Sequence, residues 1–459
     1  MDVGNHIIFG GIMDVRGHSE RAQSGRKISG LLCRDERQID FGVRRFRLST
    51  GPQREILETA SRAFVTGFNA AITSAAPADL AASLDELGEQ QRGHALEGAG
   101  MAATVLDVLT LRRGRRLRAL LAGPGRGYPH LVLAGAGRGY ASLRMRPSRL
   151  VRAMPTDRGT HPALRWLAWD GYGFHRGFFA ADLTIGAQRI PRKLTGEQRS
   201  LFDQGVGRSL WFHECADPDA VALRIAEFEP SRRGNLWSGI GLAATYTGGA
   251  DVADLGRLAT LAGGHRADLA LGSALACAAR THAGLIPGHT AAAAHALTGA
   301  LAEDASRWVA AGLVRMGPSA ASPGGYQLWR QEICGLWTAY RGPGDLAGMA
   351  AGGDLAGMAA GGDLAGMAAG GDLAGMAAGG DLAGMAAGGD LAGMAAGGDA
   401  MGILGESSVD TADLPAWDVT PEFSPYIPAQ QGGAAAPVKA GAGSAAVPRR
   451  AGRSGESKR

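Results

Sequence analysis

The chain has 459 residues with 20% charged side chains and a formal net charge of +4. That length can bury a substantial core, and the charge balance allows attraction to nucleic acid without demanding it. Cys33, Cys215, Cys277 and Cys334 stand far apart with no Cys-x-x-Cys pair, which indicates neither a zinc site nor a disulfide framework and fits reduced thiols in a cytoplasm.

Residues 1–34 are weakly patterned and read as a poorly ordered leader or as a start codon placed too far upstream. They lack the apolar run of a signal peptide, and no stretch reaches the roughly 18 apolar residues of a membrane helix, so no membrane partner is expected. From 35 to 341 the pattern is helical. Apolar residues at Ile56, Leu57, Ala60, Phe64 and Phe68 mark one buried face of a helix over 53–73. Similar stretches follow at 96–109, 164–179, 197–212, 236–246, 269–279 and 308–314, with breaks at 123–129, 248–249, 263–264 and 318–325. The arginines at 112, 113, 115, 116 and 118 read as a solvated helix face.

The most informative feature is a set of paired small residues: Gly98/Gly100, Gly135/Gly137, Gly171/Gly173, Gly205/Gly207, Gly239/Gly241 and Gly272/Ala274. Their steps of 37, 36, 34, 34 and 33 residues match one helix-turn-helix unit of a stacked array, so the fold class expected is all-α, a tetratricopeptide-like helix-hairpin solenoid. Glycine inside a helix costs about 1 kcal/mol against alanine, a loss offset where another helix approaches closely. In a tetratricopeptide hairpin that neighbour is the second helix of the same unit.

This alignment predicts a concave groove. The position before the first glycine holds Glu97, Ala134, Asp170, Gln204, Ser238 and Leu271, and the position after the second holds Met101, Arg138, Phe174, Arg208, Leu242 and Leu275. An acidic and amide column would thus run beside a partly basic one. Together with Arg176 and Trp211 these residues form the expected groove for a protein partner or a small-molecule intermediate, and nucleic acid ranks last. A second reading places acid-base chemistry on His175, Arg208, His213 and Glu214, because a histidine beside a carboxylate exchanges protons near neutral pH and an arginine holds an anion. His213-Glu214 lacks the second histidine of a zinc-protease helix, with Asp217 in its place, and no glycine-rich stretch carries a phosphate-binding Lys-Ser or Lys-Thr pair. No metal or cofactor is expected.

From Asp345 to Gly398 the nonapeptide Asp-Leu-Ala-Gly-Met-Ala-Ala-Gly-Gly occurs six times without a substitution. It lacks the Gly-x-Asp spacing of calcium-binding nonapeptides and has too few large apolar residues to bury a core, so 342–400 reads as a linker and 401–459 as a disordered tail.

Four segments carry a family resemblance: Leu120 to Gly125, Trp169 to Gly177, Phe202 to Phe212 and Ser231 to Gly249. Over roughly 40–340 the chain resembles bacterial domain-of-unknown-function family 1702. Where that family carries a Gln-Gly-Ala-type motif this chain has Leu271-Gly-Ser273, and the nonapeptide array is an addition. The resemblance implies an accessory part in enediyne or related polyketide biosynthesis and no particular activity. The function expected is binding of a partner protein or an intermediate in the solenoid groove.

Overall fold

The computed structural model describes residues 32–74, 76–148 and 161–350, and these fold into helices with no strand among them. The expectations for the array beyond 350 and for the tail lie outside the described residues, as does most of the leader. Proline, whose missing N–H and fixed φ suit the first helical position, opens five helices besides α14 (Pro323–Ala350). These are α1 (Pro52–Thr73), α2 (Pro77–Asp85), α5 (Pro129–Ser142), α8 (Pro218–Ala226) and α9 (Pro230–Thr247). The others are α3 (Glu89–Leu109), α4 (Arg115–Ala122), α6 (Leu167–Phe179), α7 (Gly196–His213), α10 (Val252–Leu261), α11 (Arg266–His282), α12 (Gly288–Thr298), α13 (Ala302–Met316) and α14 (Pro323–Ala350). Thr195 and Gln198 form a capping box on α7, and Gly248, at φ 82°, ends α9. The α14 run is broken at Gly342, where φ 73° and ψ 162° are not helical, and it extends into the first nonapeptide.

Eight helices, α1, α3, α5, α6, α7, α9, α11 and α13, each pack on the next in chain order. The glycine-spaced helices run parallel, because matching ends meet: Gly234 near the start of α9 faces Asp268 near the start of α11, and Arg280 late in α11 reaches the Tyr246 carbonyl late in α9. The glycine pairs set this contact in one register. A Cβ on the first glycine would overlap the preceding helix and one on the second the following helix: Gly135 lies on the Glu97 carbonyl and Gly137 on that of Ala168, Gly171 on Ala134 and Gly173 on Phe202, Gly205 on Asp170 and Gly207 on Leu236. Gly67, on the Ala95 carbonyl, extends the register back to α1.

The small residues therefore join helices of successive units, which corrects the expectation that they join the two helices of one hairpin. The intervening helices are also short, 8 to 11 residues in α2, α4, α8, α10 and α12. Between α6 and α7 a single π turn, Asp182–Gly186, takes that place. On α4 the arginines are exposed or half-buried, and the Asp107 carboxylate accepts the N–H groups of Arg116 and Leu117 at its N-terminus.

Helices far apart in the chain also touch. Arg280 on α11 donates to the Gln90 carbonyl on α3 at 3.2 Å, His94 and Tyr246 pack edge to face at 5.3 Å, and His130 and His282 do so at 5.7 Å. The stack is wound tightly enough to bring its inner faces together.

Candidate functional site

The glycine register brings neighbouring backbones into contact, so residues one position before each first glycine fall side by side on the inner face. Ser238 Oγ donates to Gln204 Oε1 at 3.3 Å, and Gln204 Nε2 donates to Asp170 Oδ2 at 2.9 Å. Arg208 Nη1 donates to Asp170 Oδ1 at 2.5 Å and Arg208 Nη2 to Glu97 Oε1 at 3.3 Å, while Arg138 Nη1 pairs with Glu97 at 3.5 Å. One hydrogen-bonded line thus crosses α9, α7, α6, α3 and α5. The two expected columns meet.

All six residues are buried, from 0% exposure at Gln204 to 7% at Arg208. The Phe174 ring lies 4.4 Å from the Arg138 guanidinium and 5.0 Å from that of Arg208, and Arg138 also sits 3.5 Å over Phe64. Two carboxylates balance two guanidiniums, the condition under which buried charge is tolerated. Burial works to lower the Arg208 pKa, but Asp170 and Glu97 outweigh it and raise the value above the ordinary range. For Arg138 burial wins over Glu97 and brings the value down to about 10.

Around this line the expected groove is filled. Along it lie a cavity of about 20 Å³, walled by Phe64, Glu97, Arg138 and Phe174, and another of about 40 Å³, walled by Leu131, Asp170, Leu275, Tyr326 and Trp329. Arg208, Leu242 and Tyr246 line both. Each has room for a few waters at most. The phenol oxygens of Tyr246 and Tyr326 are buried without a hydrogen-bond partner, and burial raises both pKa values, that of Tyr246 to about 12. Neither tyrosine was among the expected site residues. Tyr246 lies beyond the glycine pair on its helix and Tyr326 beyond the last pair, so the repeat register gave no signal for either.

Of the expected acid-base residues, His213 and Glu214 meet, while His175 and Arg208 stand in other surroundings. His213 Nδ1 lies 3.0 Å from Glu214 Oε1, which also accepts from Arg224 Nε at 3.1 Å. Burial pushes the Glu214 pKa up, but His213 and Arg224 more than offset it and leave it below the ordinary value. This group is formed around the end of α7. Arg208 belongs to the buried line, and His175 packs against Phe179 at 4.7 Å with its Nδ1 unpartnered. Burial first, then Arg138, Arg34 and Arg176, hold the His175 pKa well below its ordinary value. Arg176 is half-buried. Trp211 is fully buried and donates to the Gly248 carbonyl at 2.8 Å, a contact that fixes the end of α9.

These features define an all-helical stack of glycine-spaced parallel helices around a neutral, buried polar line. No described helix is long and apolar enough to cross a membrane. The chain belongs to the family described as protein of unknown function (DUF1702), matched over residues 25–335. No curated protein and no solved structure matches it.

Proposed function

We propose that the protein is an accessory binding protein of enediyne- or polyketide-type specialised metabolism, acting in the cytoplasm, and that it holds an apolar, oxygen-bearing intermediate along the inner face of its helical stack. The observation that carries this reading is the pair of buried, unpartnered hydroxyls of Tyr246 and Tyr326 on mainly apolar cavity walls. A buried hydroxyl without a partner costs about 1–3 kcal/mol, which a ligand oxygen would recover. Catalysis is less favoured, because His175, Arg208 and the His213–Glu214 pair occupy separate surroundings.

Pockets for drug-sized ligands span roughly 300–1,000 Å³, so loading requires one wall to move. Helix α14 supplies that wall. It carries Tyr326 and Trp329, and although Gly325 lies on the Ser319 carbonyl, Gly324 and Gly335 have open space where a Cβ would stand.

Retinol, an uncharged conjugated alcohol, is a suitable probe because energy transfer from buried tryptophans such as Trp329 reports its entry. Saturable transfer is expected in the full chain. Tyr246→Phe and Tyr326→Phe should each weaken it about five- to tenfold, the value of one hydrogen bond. Absence of saturable transfer, or unchanged affinity in the double variant, would refute the reading.

A further inference from the structure

A second charged cluster lies beside the neutral line, and no described carboxylate is paired with it. Arg34, in the segment before the first helix, places its guanidinium 5.0 Å from the Phe68 ring and 5.9 Å from that of Phe179. Arg44, at the end of the helical turn Phe41–Arg44, lies 5.2 Å from the same Phe179 ring, and His175 packs on it at 4.7 Å. One aromatic platform therefore gathers two arginines and a histidine from different parts of the chain. Arg176 follows His175 directly on α6, and Arg138 is close enough for its charge to act on His175.

Among the described residues, Arg34, Arg44 and Arg176 make no ion pair with a carboxylate, whereas Arg138 and Arg208 share Glu97. The Nε atoms of Arg34, Arg44 and Arg176 and Nδ1 of His175 are buried without a partner. Burial lowers the Arg34 pKa with no carboxylate acting against it. Arg34 and Arg44 share the Phe179 ring with a histidine that is only 8% exposed, and Arg176 adds its charge beside it; holding like charges together over this half-buried ring is costly unless something negative completes the set. Both Arg34 and Arg44 are half-buried, so the cluster is reachable from solvent while its floor is closed.

We propose that Arg34, Arg44, Arg176 and His175 form a binding site for a phosphate dianion. Guanidinium forks match phosphate oxygens in pairs, and a dianion balances a local excess of three positive charges better than a carboxylate does. The dianion is either free phosphate or the end group of a phosphomonoester. The two are separable because Phe174, the residue before His175, lies 4.4 Å from Arg138 and walls the smaller cavity with it and with Phe64, so the organic part of an ester has apolar surface to cover. The site stands independently of the apolar-ligand reading, since its probes are anions and retinol is neutral.

Isothermal titration of the full chain with inorganic phosphate and with hexyl phosphate tests it. Saturable binding of both is expected, weakened at least tenfold by Arg34→Gln and by Arg44→Gln, and unchanged by Arg257→Gln, which removes an arginine paired with Asp219 elsewhere on the surface. Tighter binding of hexyl phosphate would support a monoester, and equal affinities free phosphate. In a second measurement the His175 ring proton should move on phosphate addition in the native chain and stay fixed in Arg34→Gln. No saturable binding, or equal losses in all three variants, would overturn the site. Circular dichroism of each variant separates loss of the site from loss of fold.

Discussion

Glycine does opposite things in the two layers of this molecule. On the inner helices Gly171 and Gly205 lie against the carbonyls of neighbouring helices, and no side chain fits there, whereas Gly256 on the outer helix α10 has nothing within 4 Å of where a Cβ would stand. The intrinsic cost of glycine in a helix is the same at both positions, about 1 kcal/mol. At the inner positions, contact with the neighbouring backbone returns it. Architecture here is carried by missing side chains at a few inner positions, while outer glycines are dispensable.

The sharpest way to break the contrast is to fill an inner position. Gly171→Val and Gly205→Val should each prevent folding, seen as loss of the helical circular-dichroism signal, because the overlapping atoms are backbone and cannot move aside. Next comes the line that the inner register assembles. Arg208→Met leaves Asp170 and Glu97 buried with an unmatched charge and should cost about 3–5 kcal/mol in urea unfolding.

A smaller effect depends on pH. Burial first, and then His282, lower the His130 pKa from 6.5 to about 3, and burial also lowers those of His94 and His175. Between pH 6.5 and 3 the unfolded chain binds protons that the folded chain refuses. Stability should therefore be complete above pH 6.5 and fall as the pH drops through this window, and His130→Gln should flatten part of the slope in urea midpoints measured from pH 7 to 4. The smallest effect runs the other way. Gly256→Ala should stabilise the fold by about 0.5–1 kcal/mol, raising the thermal midpoint, since the outer helix gains propensity and loses no contact.

Much of this order was legible in the residues. The 34-residue spacing fixed the inner helices, and the apolar pattern over 53–73 located α1 to within a residue. Helix α5 went unrecognised as an apolar stretch, because four of its residues, Gly135, Gly137, Gly139 and Ser142, are poor helix formers held by contact with α3 and α6. The register also placed Glu97, Asp170, Gln204, Ser238, Arg138 and Arg208 on a common face. It could not show that the face would be closed, since winding depends on the small rotation from each helix to the next, which no period records. His175 and His213 drew notice by their sequence neighbours, yet they sit four and eight positions past the first glycines of their helices and are surrounded differently. Arg34 and Arg44 lie outside every repeat.

The hydrogen bond from Arg280 to Gln90 spans 190 residues. In an open array of repeats, stability is a sum of nearest-neighbour terms, so ends fray and intermediates accumulate. A bond across the axis ties an early unit to a late one, so neither can melt without disturbing the other. Heat should therefore unfold the described region in one cooperative step, with calorimetric and van't Hoff enthalpies in agreement, and the slow event in refolding should be the meeting of these distant turns after local stacking is complete.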